Sequence, residues 1–509
     1  MSVNLRTIDL VAAASFIGCL ALFLRKSAQR SSLPPGPPAD PLIGHLRSIP
    51  TEKMAETFHE WSKTYGDVMY VKVPGREMVI LGSAEVAQAL LDAKGANYSC
   101  RPKLTVFELM GWNPTLTFMQ YGKRFLKHRK MLQQYFGRKE SLAFNDILAE
   151  EARYLVKNLT KAHPGQHLHY AQRFTLSNIM RAAFGHRVKS DDDKFERIAH
   201  GVTYALNNCG PAGSTPVDLF PWLRHFPSWF PGAYYASVAR SHFCVIRELH
   251  DVILEFVQEG MKTRSIEKCF ASEKLEELGD HADPESIDDV RGAAATILAG
   301  GEDTTYASLT TFLLAMVLHP ECQQRAYEEI ISVVGQDRLP DLSDRASLPY
   351  IDCVLQESLR WHVVPPLGVP HRAMKDDVFN GMFIPEGAVV LANIGGMSID
   401  ERVYSNPKVF NPSRYLGAPE GREEPFFSAV WGFGRRICPG RHFADVALWN
   451  ALACILATLE IVPVKDEAGN PKMPKVEFSE GLISQARPFE FEARPRSDAA
   501  RALIAHIDN

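Results

Sequence analysis

The sequence predicts a mainly α-helical fold: one large domain behind an apolar N-terminal helix. Three observations carry this. Residues Leu10 to Leu24 hold no charged side chain. Residues Ser286 to Leu318 form a second apolar stretch, long enough for one buried helix that is apolar on most sides. After the first forty residues no Ser/Gly-rich linker, charge block or internal repeat divides the chain. With 46% apolar and 23% charged side chains among 509 residues, a large core is affordable. A net charge of −4 gives no case for nucleic acid as a partner. Nine cysteines without a Cys-x-x-Cys pair read as reduced thiols on the cytosolic side, not as a disulfide framework.

The N-terminal run would span about 22 Å as a helix and is followed at once by Arg25, Lys26 and Arg30. A cleavable signal wants small neutral residues there, so the run reads as a retained anchor. Only Arg6 precedes it, which places the body of the protein in the cytosol by the positive-inside rule. Residues 1–33 are therefore expected to be a transmembrane anchor with its basic flank, and residues 34–509 the folded domain. Leu33-Pro34-Pro35-Gly36-Pro37-Pro38 should be a stiff non-helical strut between them, because each proline fixes its own φ and restricts its predecessor.

Further along, Gly300-Gly301-Glu302-Asp303-Thr304-Thr305 interrupts the long apolar helix with residues that weaken helices locally. Glu357 and Arg360 stand three apart, on one helix face. Phe410-Asn411-Pro412-Ser413-Arg414-Tyr415 follows. Last comes Trp431-Gly432-Phe433-Gly434-Arg435-Arg436-Ile437-Cys438-Pro439-Gly440, where glycines four before and two after a lone cysteine suit a loop wrapping a thiolate. Arg436 adds a cation two residues before that cysteine. Each segment alone has an ordinary explanation: a kinked core helix, a surface ion pair, a buried structural cysteine.

Together they resemble the cytochromes P-450. The family's haem loop, Phe-x-x-Gly-x-Arg-x-Cys-x-Gly, matches at Gly434, Arg436, Cys438 and Gly440, with Trp431 in place of the phenylalanine. The resemblance covers the chain from Pro34 onward. It implies a mainly helical haem-thiolate fold with a small β-rich part, haem b as cofactor, and Cys438 as axial iron ligand that favours O–O cleavage. The long-helix segment resembles the family's oxygen-binding groove, in which Thr304 relays protons supplied by Asp303. Glu357, Arg360 and Arg414 resemble its internal charge network. Arg436, Arg129, Arg101 and His371 resemble partners of the haem propionates. Phe125 stands where a tryptophan is expected, which leaves Arg129 or His128 to compensate.

The implied activity is dioxygen-dependent oxidation of a hydrophobic small molecule at the endoplasmic reticulum membrane, similar to fungal secondary-metabolism members. Electrons would come from NADPH-cytochrome P-450 reductase, with cytochrome b5 as a second donor, since no flavin or nicotinamide fingerprint occurs. A basic helix with Lys123, Arg124, Lys127, Arg129 and Lys130, together with Arg435 and Arg441, is the expected docking face. The expected pocket walls are 105–118, 296–300, 363–369 and Leu482-Ile483. The aromatic run Leu219-Phe220-Pro221-Trp222-Leu223, with Phe226, Trp229 and Phe230, should dip into the membrane interface. Two rivals stay open: a reductase-independent haem-thiolate isomerase or peroxygenase, and a non-enzymatic haem sensor.

Overall fold

The structure, a computed structural model, describes residues 33–163, 165–188, 193–210, 213, 215–279 and 281–507. The anchor run Leu10 to Leu24 lies outside them, and no described helix is long and apolar enough to cross a membrane. The proline strut docks on the domain it leads into: the Pro35 carbonyl accepts from the Tyr70 N–H at 2.9 Å. A Cβ on Gly36 would meet the Tyr70 carbonyl oxygen at 2.2 Å, so only glycine allows that approach.

The β part is small. After helix α1 (Met54–Tyr65), strands β1 (Val68–Val73) and β2 (Arg76–Leu81) form an antiparallel hairpin. The longer helices that follow are α2 (Lys123–Tyr135), α3 (Asn145–Lys161), α4 (His167–Phe184), α5 (Lys194–Asn208) and α6 (Phe243–Thr263). Then come α7 (Pro284–Leu318), α8 (Pro320–Val333) and α9 (Pro349–Trp361). Strand β3 (His371–Arg372) precedes a hairpin of β4 (Asp377–Phe379) and β5 (Met382–Ile384), closed by Asn380 and Gly381, both at positive φ. Strand β6 (Val389–Ala392) completes a four-stranded sheet of order β1-β2-β6-β3, in which β2 and β6 are parallel. Helix α10 (Arg441–Thr458) runs into β7 (Leu459–Pro463), which pairs antiparallel with β8 (Phe491–Pro495).

Helix α7 is the spine. Asp283 caps it, accepting from the Ser286 N–H at 2.9 Å, with Pro284 at the first helical position, so it starts two residues before the predicted Ser286. The predicted interruption does not occur, and the helix is continuous for 35 residues. Hydroxyls compensate for the glycines: Thr304 Oγ1 donates to the Gly300 carbonyl at 2.7 Å. Gly292 earns its place through packing, since a Cβ there would meet the Pro114 carbonyl oxygen at 1.7 Å.

The predicted charge network exists and is larger than expected. Arg360 donates to both Glu357 carboxylate oxygens at 2.7 and 2.8 Å, and Arg414 Nε lies 3.1 Å from each. Tyr415 and the Asn411 N–H also donate to Glu357. Glu424, which the sequence reading missed, accepts from Arg414 at 2.7 Å. The network ties α9 to the 398–424 segment that leads into the cysteine loop.

Candidate active site

Cys438 lies at the turn into α10, and the loop holding it is fixed by backbone bonds. Its N–H donates to the Trp431 carbonyl at 2.8 Å. Gly434 is required by close approach: φ is +56° and a Cβ would meet the Leu91 carbonyl oxygen at 2.0 Å. Gly440 has open space around a Cβ position and forms the N-cap of α10. Burial raises the proton affinity of the Cys438 thiol; the Gly440 N–H, the Arg129 and Arg441 charges and the Arg441 N–H oppose it.

Cys438 opens on a cavity of about 320 Å³. Gly300, Gly301 and Thr304 of α7 line it, as do Trp431, Phe433, Arg436, Phe125, Arg129, Arg101 and His371. A Cβ on Gly300 would meet nothing within 4 Å, leaving space beside the helix. Gly301 differs, because a Cβ there would press on Ile179 Cδ1 at 2.5 Å; this glycine serves helix packing. All four predicted wall segments contribute, through Trp112, Leu116, Ile297, Val364, Val369, Leu482 and Ile483 among others. Ile179 of α4 and Leu206 of α5 complete the wall and were not foreseen.

The three cavity arginines have an unusual surrounding. Arg101 donates to the carbonyls of Thr117, Val369 and Pro370, and Arg436 to those of Ser99, Leu116 and Met119. Arg129 donates to the Ile437 carbonyl, while its Nε is buried without a partner. No acidic side chain among the described residues forms an ion pair with any of them. Burial lowers the proton affinity of Arg101 and Arg436, and each cation also suffers a neighbouring arginine: Arg436 beside Arg101, Arg129 beside Arg436. Arg436 is further supported by the face of Phe125, 3.7 Å from the ring centre.

His371 Nδ1 bonds the Tyr98 carbonyl at 2.7 Å. Burial and the Arg101 charge hold its imidazole well below the usual pKa. His128 cannot compensate for Phe125: it is fully buried outside the cavity and pairs with Asp289 at 3.0 Å.

Asp303 is buried and does not line the cavity. Gln485 Nε2 donates to its Oδ1, while Oδ2 lacks a hydrogen bond. Glu302 is its buried neighbour. Burial raises the proton affinity of both carboxyls, and Asp303 raises that of Glu302 further. Burial thus shifts the Asp303 carboxyl up towards neutral pH, one residue before Thr304.

The expected basic docking face shrinks. Arg124 and Lys127 bond Asp289 at 2.6 and 2.7 Å, and Arg124 also bonds Asp288. Despite burial, those contacts and His128 hold Asp289 at a pKa of about 2. Lys123, Lys130 and Arg435 are exposed, and none of them forms an ion pair among the described residues.

A half-buried thiol with N–H groups aimed at it, facing a cavity rimmed by arginines that lack anions, fits haem: one group brings an iron and two carboxylates. Fold and site define a haem-thiolate protein. Comparison with known sequences makes this specific. The profile described as Cytochrome P450 matches residues 34–493. The chain is similar to cytochrome P450 monooxygenase 136 of Postia placenta, 38% identical over 94% of this chain and 91% of the relative. It is equally similar to cytochrome P450 monooxygenase claR of Ampulloclitocybe clavipes, 38% identical over 96% and 91%. A second Postia placenta relative, monooxygenase 176, is 36% identical over 99% and 98%. The chain belongs to the cytochrome P450 family and is a haem-thiolate monooxygenase, an oxidoreductase that incorporates molecular oxygen.

Proposed function

We propose that this protein uses haem b and electrons from a separate NADPH-cytochrome P-450 reductase to hydroxylate or otherwise oxidise a hydrophobic small molecule in fungal secondary metabolism. The observation that carries the substrate class is the cavity wall. Trp112, Leu116, Phe118, Ile179, Leu206, Leu482 and Ile483 offer shape and apolar surface with few directional groups. The fungal source of the relatives supports the pathway class.

When bound, haem iron supplies the activation of dioxygen. The chain supplies the rest. Cys438 holds the iron as thiolate, stabilised by the Gly440 and Arg441 N–H groups and the Arg129 charge. Arg101, Arg129 and Arg436 neutralise the propionates, and an arriving carboxylate would make His371 easier to protonate. Gly300 leaves room beside α7. Thr304 Oγ1 can release the Gly300 carbonyl and hold a water, and Asp303 stores a proton next to it.

Attachment to the endoplasmic reticulum membrane, with the domain in the cytosol, is our reading of the N-terminal run and of an exposed aromatic surface. Trp222 and Trp229 are 54% and 80% exposed, with Phe226 and Tyr234 beside them. Lys123, Lys130, Arg435 and Arg441 form the face we assign to the reductase, with cytochrome b5 as an alternative donor. The test is reconstitution of the full-length protein with reductase, NADPH and labelled dioxygen, against apolar compounds chosen by the haem spectral shift they induce. One labelled oxygen in the product, dependent on NADPH, is expected. Turnover that needs only peroxide, or an unlabelled rearranged product, would establish the reductase-independent rival.

A further inference from the structure

His169, Glu196 and His200 stand outside the haem cavity, and the activity described above uses none of them. Helix α4 provides His169 in its first turn. Helix α5 provides Glu196 and His200, four residues apart and so on one face. Their ligand atoms converge. His169 Nδ1 lies 3.2 Å from Glu196 Oε1, His200 Nε2 lies 3.8 Å from the same oxygen, and one ligand atom from each residue falls within 4.8 Å of the others.

Around a tetrahedral ion with bonds of about 2.0–2.1 Å, ligand atoms sit about 3.3–3.4 Å apart. The two histidine–carboxylate separations bracket that value, and the two histidines' ligand atoms lie within 4.8 Å of each other, so side-chain rotations can close the set. Glu196 is buried, whereas the His200 side chain is half exposed, which leaves an entry path and room for water at the remaining position. Two imidazoles and one carboxylate suit zinc-class transition metals; calcium and magnesium want more oxygen ligands.

We propose that His169, Glu196 and His200 bind one divalent transition-metal ion of the zinc class, tying α4 to α5. Both helices reach the haem cavity, through Ile179 and Leu206, so the ion would fix the spacing of two wall elements. Without an ion the trio is an ordinary histidine–carboxylate cluster, and binding measurements separate the two.

The test is equilibrium dialysis of full-length holoprotein, free of any polyhistidine tag, against micromolar zinc chloride. Bound metal is counted by mass spectrometry per haem. We expect one zinc per haem, with affinity at least about tenfold lower in His169→Ala and His200→Ala, since even outer-shell partners cost that much. His200 is surface-accessible, so His200→Ala should fold. His163→Ala, an exposed histidine just before α4, should bind as wild type. Zinc should also raise the melting temperature of wild type and not that of His200→Ala. Absence of a stoichiometric zinc in wild type, or wild-type zinc affinity in both variants, overturns the proposal.

Discussion

Arg360 and Arg414 are as deeply buried as Arg101 and Arg129, yet the two pairs are satisfied in opposite ways. Around Glu357 the charges balance: two guanidinium groups meet the carboxylates of Glu357 and Glu424, and Tyr415 and a backbone N–H fill the remaining acceptor sites. Around the cavity three arginines bond backbone carbonyls, Arg436 also lies over the Phe125 ring, and no acidic side chain among the described residues pairs with any of them. The first cluster is finished by the chain itself. The second is finished only by a ligand that brings negative charge. Glu302 and Asp303 form a third case, buried acids without a cation, which adapt through a raised proton affinity. Arginine cannot adapt in that way, because its guanidinium does not deprotonate in proteins.

The largest expected effect breaks the balanced cluster. Glu357→Ala strands the buried Arg360 cation and leaves Arg414 with Glu424 alone, and should cost about 3–5 kcal/mol, measured by denaturant unfolding, with little holoprotein recovered. Stability equal to wild type would remove the distinction between the two clusters. Arg436→Ala tests the other side. It relieves a like-charge contact but leaves the Ser99, Leu116 and Met119 carbonyls without their donor, so the apoprotein should be modestly less stable while haem transfer to a scavenger protein accelerates. One charge-assisted hydrogen bond is worth about 1.5–3 kcal/mol, roughly a tenfold or larger rate change. Loss of apoprotein stability without faster haem loss would contradict the account.

Two smaller effects sharpen the comparison with the acids. Thr304→Ala removes one local bond to Gly300, a stability change of about 0.5–1.5 kcal/mol, and should divert NADPH into peroxide. Unchanged coupling of NADPH to product would take Thr304 out of the proton path. Asp303 has a raised folded-state pKa. Its contribution to stability is therefore complete below the ordinary carboxylate range and is lost as pH rises through the raised value. Asp303→Asn should flatten the fall of stability between mildly acidic and neutral pH. A fall as steep as in wild type would place the titration elsewhere, with Glu302 the first alternative.

Local spacing made part of this legible in the sequence. Cys438 and its glycines, and Glu357 with Arg360, lie within a few residues of one another, so chain order alone predicts their geometry. Arg414 followed from the family resemblance. What sequence could not show depends on long-range neighbours. Asp289 on α7 absorbs Arg124, Lys127 and His128 of α2, a pairing across more than 150 positions that turns an apparent docking stripe into an internal anchor. Gly434 is needed because Leu91 approaches it, and nothing near Gly434 in the chain announces that. Ile179 and Leu206 sit on helices whose other buried residues look the same, so no pattern marks them as cavity wall. Glu424 lies in an irregular segment without periodicity to aid it.

The central claim is that the arginine-rimmed cavity holds haem on the Cys438 thiolate. The most direct measurement is the carbon monoxide difference spectrum of the reduced full-length protein beside its Cys438→Ser variant. Wild type should give the red-shifted Soret band of a thiolate-ligated haem, and the variant should lose that band and the turnover together. A variant that kept both would contradict the assignment of Cys438 as the iron ligand.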